Sequence, residues 1–555
     1  MTTVIRGGTV VDGTGAPAYR ADVAIDGGRV TEIGANLKGD TEIDASGHVV
    51  APGFIDIHTH YDAQVFWDPA LTPSSYHGVT TVVAGNCGFS LAPTRPEDRE
   101  LLAQTLEKVE DMDPAALNAG IPWDFETFPE YLASVERHGV VLNYAAYIGH
   151  TPLRRYVMGD DSVGREATDD EVAKMSALIA EAMKAGAAGF ATSLAVTHMG
   201  ADGRPIPSRW ASAGELEALS RAVGDAGRGV VGVNGGAQLN FSDVYEMAPR
   251  IGAPITYTAL LTIANGMHNQ MVEVHREGRA RGVDVWPQVS CRPLSFSMTM
   301  VEPFTLNTNP VFAGIMALGP DGRRKSYADP AWRQKVRQAW VDKKGLQPRW
   351  DTYEIMESTA HPELVGRKLT DLVAADGDPL DTLLELALDE PDTMLRVRAT
   401  LANDDMDGVT MLLGEDQCTL GLSDAGAHVG QLCDAVMSTD LLGTWVRDRQ
   451  VLTIEQAVHK LTQVQADLFG FEDRGVLRRG AWADVVVFDP ATVAPGPTRR
   501  VRDFPANAER LTADQPVGMR HLFVNGAPVQ IDGQMLASAL VDRPGQIVRP
   551  GIHRR

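Results

Sequence analysis

The sequence predicts an α/β protein, a (β/α)8 TIM barrel carrying a small β-sandwich that both chain ends build together. Two observations predict it. Between about residues 52 and 475, eight short apolar segments alternate with longer stretches of helical periodicity, the pattern of repeated βα units. On either side of that region, short apolar runs are broken by Asp-Gly, Gly-Gly and Asn-Gly pairs, the pattern of antiparallel strands and tight turns. Residues 1–51 and 476–555 are therefore expected to form one composite sandwich, with the barrel over 52–475 between them.

The N-terminal β unit shows in Thr9-Val10-Val11-Asp12-Gly13 and in the run from Asp22 to Val30. Barrel strands are expected at Phe54–Ile57, Thr80–Gly85, Val140–Tyr144, Ala188–Ala191, Val230–Val233, Pro254–Thr258, Val283–Val289 and Cys418–Leu422. Such runs are apolar enough to be covered on both faces, as strands of a parallel sheet must be. Helices are expected at Asp169–Lys184 and Ala213–Ala226. In a barrel of this kind the chemistry sits at the C-terminal strand ends.

One region exceeds a minimal barrel. Residues 300–400, approximately, carry Trp332, Trp340 and Trp350 beside the basic runs Arg323-Arg324-Lys325 and Lys343-Lys344. The insertion falls between the last two strands, and reads either as a lid over the mouth or as a helical excursion on the flank. After it, Gly480–Asp489 reads as a buried strand and Leu522–Val529 as a hairpin turning at Asn525-Gly526.

Composition narrows the class. The 555 residues carry a formal net charge of −23, which argues against nucleic acid as a partner. No apolar run approaches the ~20 residues of a membrane helix. The first residues enter a strand-like segment without a signal-peptide core. Four cysteines (Cys87, Cys291, Cys418, Cys433) lack paired spacing and read as reduced thiols. A cytoplasmic enzyme acting on a small molecule is the expectation, with self-association left open.

The chemistry centres on His58-Thr59-His60 at the end of the first barrel strand. Side chains two apart on a strand share a side, so two imidazoles stand together as half of a transition-metal site. The alternative is that both are ordinary polar loop residues.

Together with other segments, this stretch resembles the amidohydrolase superfamily, and within it the D-aminoacylase (N-acyl-D-amino-acid deacylase) family. The matching segments are Gly8–Gly13, Ala51–His60, Gly78–Gly88, Ser423–His428 and Arg474-Gly475 through to Asp489. The resemblance implies zinc at the barrel mouth, with His58, His60, Cys87 and Asp424 as its ligands. It implies further that Asp424 shuttles a proton during hydrolysis of a non-peptide C–N amide bond, that of an N-acyl (D-)amino acid or a related amide. Competing roles stand beside these. Cys87 reads also as a small buried apolar residue, and Asp424 as a cap on a following helix. His77 and His150 read as structural.

The family pattern also includes a histidine after the fifth strand and another after the sixth. Here the fifth ends Val233-Asn234-Gly235-Gly236 and the sixth has no histidine at all. Asn234 binds substrate or water better than it binds zinc. Three outcomes fit: one ion held by the first- and eighth-strand residues, with a second ion left open; a histidine borrowed from elsewhere (His150, His198 or His268); or a degenerate metal site. In the last case the chain acts on another amide, cyclic or unrelated to amino acids, or only binds. Arg292 and then Arg209 are the expected partners of a substrate carboxylate, with structural ion pairing as the alternative for each. His428 reads as a substrate contact or a supporting group.

Overall fold

The structure, a computed structural model, describes residues 1–200 and 203–552. They divide into two compact units. One comprises residues 1–200, 203–292, 406–429 and 433–552, and the other residues 293–405 and 430–432.

The first unit contains eight parallel strands in sequential order. These are β1 (Phe54–Asp56), β2 (Val79–Ala84), β3 (Asn143–Gly149), β4 (Gly189–Ser193), β5 (Val230–Asn234), β6 (Ile255–Thr258), β7 (Val285–Val289) and β8 (Thr419–Leu420). All eight coincide with an apolar run read from the sequence. β3 begins three residues later than Val140, which is engaged instead by the C-terminal segment through a bridge to Pro544. β1 and β8 are the edges of the sheet, and a parallel bridge between Thr59 and Ala425 joins them just beyond their C-terminal ends.

The chain ends share a second sheet. Val485–Phe488 pairs antiparallel with Val49–Pro52, Val486 opposite Ala51 and Val487 opposite Val50. On its other edge it pairs with Met519–Val524, which turns at Asn525-Gly526 into Ala527–Ile531. The resulting nine-stranded sheet joins residues 3–52 to residues 485–535. Alternation sorts its two faces. Val50, Val485, Val487 and Phe523 enter a core with Ile5, Val23 and Val30. Val49, Ala51, Val486, Phe488 and Leu522 join the large core shared with the barrel.

The chain passes from this sheet into β1 through Gly53 alone. A Cβ there would lie 2.2 Å from the side chain of Thr80, so only glycine fits. Beside it, a buried polar network holds sheet and barrel together. Arg474 pairs with Asp484, Asp484 accepts from Asn143 Nδ2 in β3 (3.1 Å), and Asn525 Nδ2 donates to Asn143 Oδ1 (2.8 Å). The closing motif of the sequence is thus structural.

The second unit has its own core. Leu294–Thr299, Arg396–Ala402 and Glu354–Glu357 form a three-stranded antiparallel sheet. Trp332 and Trp340 lie buried with Phe312, Tyr327 and Tyr353. Trp332 and Trp340 are therefore core residues, with Phe312 and Trp332 edge to face at 4.9 Å, and Trp350 packs against them partly buried.

Among the described residues no helix is long and apolar enough to cross a membrane.

Two stability predictions follow from buried groups. Asp484→Ala leaves Arg474 charged and unpaired in the interior, and should cost about 3–5 kcal/mol in denaturant unfolding; a loss below about 1 kcal/mol would show the pair to be incidental. His77, wholly buried between Thr439 Oγ1 (2.8 Å) and the carbonyl of Ala513 (2.7 Å), is held near pKa 4, chiefly by burial. Its folded pKa lies below the unfolded value, so the unfolded chain binds the extra proton and stability falls as pH drops from about 6.5 to 4. That gap corresponds to about 3 kcal/mol. The stability difference between wild type and His77→Gln should shrink by that amount from pH 7 to pH 4, and a constant difference would exclude this origin.

Candidate metal centre

His58 and His60 follow β1 where its backbone is gripped from two sides. Thr59 N donates to Val83 O of β2 (3.2 Å), while His60 N donates to Ala425 O beyond β8 (2.7 Å). Ser423 Oγ adds a bond to the carbonyl of His58 (2.8 Å). Strand alternation then turns both imidazoles to one side, ring centres 5.5 Å apart.

Cys87 stands in a short turn after β2, its φ of 53° in the left-handed region. The turn is pinned by Gly85 N donating to Asp62 Oδ2 (2.8 Å) and by Asn86 Nδ2 donating to Ile57 O (3.1 Å). Asp424, with φ of 44°, and His428, with φ of 47°, hold the same strained conformation after β8. Three such residues around one mouth mark a place where packing overrides backbone preference. No helix follows Asp424 before the short turn Asp434–Val436, so the capping alternative is corrected: its carboxylate points to the two imidazoles instead.

The donor atoms converge. Asp424 Oδ1 lies 3.0 Å from His58 Nε2 and 3.6 Å from His60 Nε2, and Cys87 Sγ lies 3.8 Å from His58 Nε2. One ligand atom from each of His58, His60 and Cys87 fits within a 4.8 Å cluster. A tetrahedral zinc with Zn–N of about 2.0–2.1 Å and Zn–S of about 2.3 Å has an N···S edge of roughly 3.6 Å. The residues present fit such an ion in spacing and in donor type.

Electrostatics agree. Burial opposes a charged His58, yet the carboxylate of Asp424 and the thiol of Cys87 raise its pKa to about 10. Burial likewise opposes charge on Asp424, and the two imidazoles overcome it to hold the carboxyl well below its usual range. Cys87 is pushed up by burial and drawn lower overall by the same imidazoles.

Supporting groups include two that the sequence reading missed. Gln288 Oε1 in β7 meets His58 Nδ1 at 2.6 Å. Glu110, at the end of the helix Arg99–Glu110, meets His60 Nδ1 at 3.2 Å. A signal existed for each: Glu110 shares the buried face of its helix with Leu102, Leu106 and Val109, and Gln288 interrupts an otherwise apolar strand end.

The other candidate residues separate. Asn234, at the end of β5, donates through Nδ2 to Cys87 Sγ (3.5 Å). His428 is buried within electrostatic reach of Glu110. Arg292 is paired with Asp434 (2.8 Å) and Asp440 (3.1 Å). Arg209 pairs with no carboxylate among the described residues; its NH1 holds the carbonyls of Val196 and His198 (3.2 Å each). His198 lies in that loop with Nδ1 against Ser193 Oγ (2.7 Å) and is kept neutral, chiefly by burial, with a pKa near 4. His150 is engaged by Thr192 (2.8 Å) and Glu215 (3.0 Å), and His268 Nδ1 accepts from Ile263 N (3.1 Å).

Comparison with known proteins places the chain in a family. The profile of the amidohydrolase family fits residues 41–300 and 395–530. A D-aminoacylase of Alcaligenes xylosoxydans xylosoxydans is 30% identical over 540 residues, 95% of this chain and 94% of its own. The chain is an amidohydrolase of the D-aminoacylase family. Among solved structures, the N-acyl-D-glutamate deacylase of Bordetella bronchiseptica, complexed with zinc and a phosphonate inhibitor, is 29% identical, superposes with a TM-score of 0.67 and matches over 99% of both chains. A D-aminoacylase with a binuclear metal centre, described by one-metal activation and second-metal attenuation, is 25% identical with a TM-score of 0.67, again over 99% of both chains. The expected barrel fold and family are thereby borne out.

One consequence for this amidohydrolase is chemical selectivity among its thiols. In the metal-free protein at pH 7, iodoacetamide should modify Cys87 before Cys418 and Cys433, which burial pushes up to about 12, and before Cys291, which burial pushes higher still. One equivalent of zinc should suppress the reaction at Cys87. Peptide mapping that finds Cys87 the slowest, or unprotected by zinc, would remove it from the centre.

Proposed function

We propose that this amidohydrolase is a metal-dependent deacylase of an N-acyl D-amino acid or a closely related amide, working with one dominant zinc-like ion. The observation that carries the reading is the cluster of His58, His60 and Cys87, with donor atoms within 4.8 Å of one another, and the carboxylate of Asp424 set against both imidazoles. The substrate class rests on the D-aminoacylase and N-acyl-D-glutamate deacylase to which the chain is similar over nearly its full length.

When bound, the metal would supply a water of lowered pKa and polarise the scissile carbonyl. The chain's own groups do the rest. His58 and His60 supply neutral imidazole nitrogens, their outer nitrogens occupied by Gln288 and Glu110. Cys87 supplies a thiolate steadied by the amide of Asn234. Asp424 is the proton acceptor and donor: its carboxylate sits against both imidazoles, takes the proton of the attacking water, and returns it to the departing nitrogen.

One ion is favoured by donor count. A catalytic zinc takes about three protein ligands and keeps an open position. A second ion would have Cys87 and no β5 or β6 histidine, since Asn234 stands at the end of one strand and Thr258 at the end of the other. For the substrate carboxylate, Arg209 has its charge uncommitted to any carboxylate among the described residues, whereas Arg292 already faces two aspartates.

The reading is tested by paired substitutions assayed on N-acyl-D- and N-acyl-L-amino acids. His58→Ala should lose both metal and turnover. Asp424→Asn should keep substantial metal while kcat falls by about 10²–10⁴-fold, because an amide cannot accept the proton. Two tightly bound equivalents per chain by elemental analysis, or an Asp424→Asn enzyme with near-normal turnover, would overturn the assignment.

A further inference from the structure

The helix Arg99–Glu110 ends in a carboxylate whose position is hard to explain by folding alone. Glu110 is 2% exposed. It is the last residue of its helix, where the aligned carbonyls already make the local potential negative, so helix energetics disfavour a buried anion there. Among the described residues no arginine or lysine pairs with it, and its one ion-pair partner is His60, Oε1 to Nδ1 at 3.2 Å. The ring N–H does not point squarely at that oxygen, so the contact is a bent ion pair rather than an aligned hydrogen bond. The main chain of Glu110 is fixed as well, its carbonyl accepting from Val429 N in the loop after β8 (3.3 Å).

The two imidazoles are thus supported unequally. His58 rests on the neutral amide of Gln288, and His60 on a carboxylate. A carboxylate at the outer nitrogen of a ligating imidazole fixes its tautomer and orientation and makes the inner nitrogen a stronger donor. Building on the metal-centre reading, we propose that Glu110 is a positioning residue. It holds Nδ1 of His60 toward the interior, presents Nε2 to the metal, and strengthens a ligand set that lacks the β5 and β6 histidines. The amide of Gln288 cannot do the same for His58, so metal retention depends on Glu110 more than on Gln288.

The test compares equilibrium zinc affinity, by chelator competition, in wild type, Glu110→Gln and Glu110→Asp, together with the visible absorption of the cobalt(II)-loaded proteins. Glu110→Gln should bind zinc about 10–100-fold more weakly. Its cobalt spectrum should shift, its metal-free thermal midpoint should stay near wild type, and saturating zinc should restore most of its turnover. Glu110→Asp, which keeps the charge but draws it back by a methylene, should weaken affinity less. Wild-type zinc affinity and cobalt spectrum in Glu110→Gln would overturn the proposal. If that variant does not fold, the same result in Glu110→Asp would do so. These readings need no substrate. A wild type that binds zinc yet hydrolyses no N-acyl amino acid sinks the proposed reaction and leaves the Glu110 comparison intact, while an active enzyme whose affinity ignores Glu110 sinks only the positioning role.

Discussion

Everything at the mouth depends on one junction, the closure between the first and last barrel strands. β1 and β8 are short, three and two residues, and their meeting is made beyond their ends by main-chain groups: the Thr59–Ala425 bridge, His60 N to Ala425 O, and the hydroxyl of Ser423 on the carbonyl of His58. That junction brings Asp424 to the imidazoles although the two segments lie far apart in the chain. It also explains the run Ser423–Gly426 residue by residue. Ser423 supplies the hydroxyl, Asp424 the carboxylate and Ala425 the bridging carbonyl. Gly426 is required because its φ is 90° and a Cβ would press within 2.9 Å of the backbone of His60. The motif is a clasp as well as the source of that carboxylate.

How much of this was legible follows from how each feature is encoded. The eight strands were readable because burial on both faces writes continuous apolar runs, and the shared sheet because Asp-Gly and Asn-Gly turns punctuate both ends. The proximity of His58, His60, Cys87 and Asp424 was readable because each lies in a local motif at a strand end. Glu110 and Gln288 were not. Each serves an imidazole through a contact made only by folding, across 50 and 230 residues respectively. The insertion's tryptophans advertised a lid or a helical excursion on the flank equally well; the interior that receives Trp332 and Trp340 is built from distant partners such as Phe312 and Tyr353. Arg292 is the converse case: an arginine after a barrel strand reads as a substrate contact or as a structural ion pair, and only folding brings Asp434 and Asp440 around it.

The site is also a problem in charge balance. Five ionisable groups, His58, His60, Cys87, Glu110 and Asp424, crowd a volume from which water is largely excluded, and burial alone would neutralise each of them. They remain ionisable because every anion faces an imidazole and both imidazoles face anions. A divalent ion entering such a set would replace protons, so the arrangement that balances these charges is also one that would receive a metal.

Asn234 gives the last step of this reasoning. A histidine at the end of β5 would offer a nitrogen lone pair, a competitor for metal. The asparagine instead offers hydrogens, and Nδ2 directs one to Cys87 Sγ at 3.5 Å. A donor in that place drains charge from the sulfur rather than adding a ligand beside it, and so works against a second ion on that side of the thiolate. The same bond steadies Cys87 in its left-handed turn, with its sulfur facing His58. The one-ion proposal therefore draws on the asparagine at the end of β5 as well as on the donor count. On that proposal, Asn234 at the end of β5 and the carboxylate behind His60 act in one direction, toward a metal held on the β1 imidazoles.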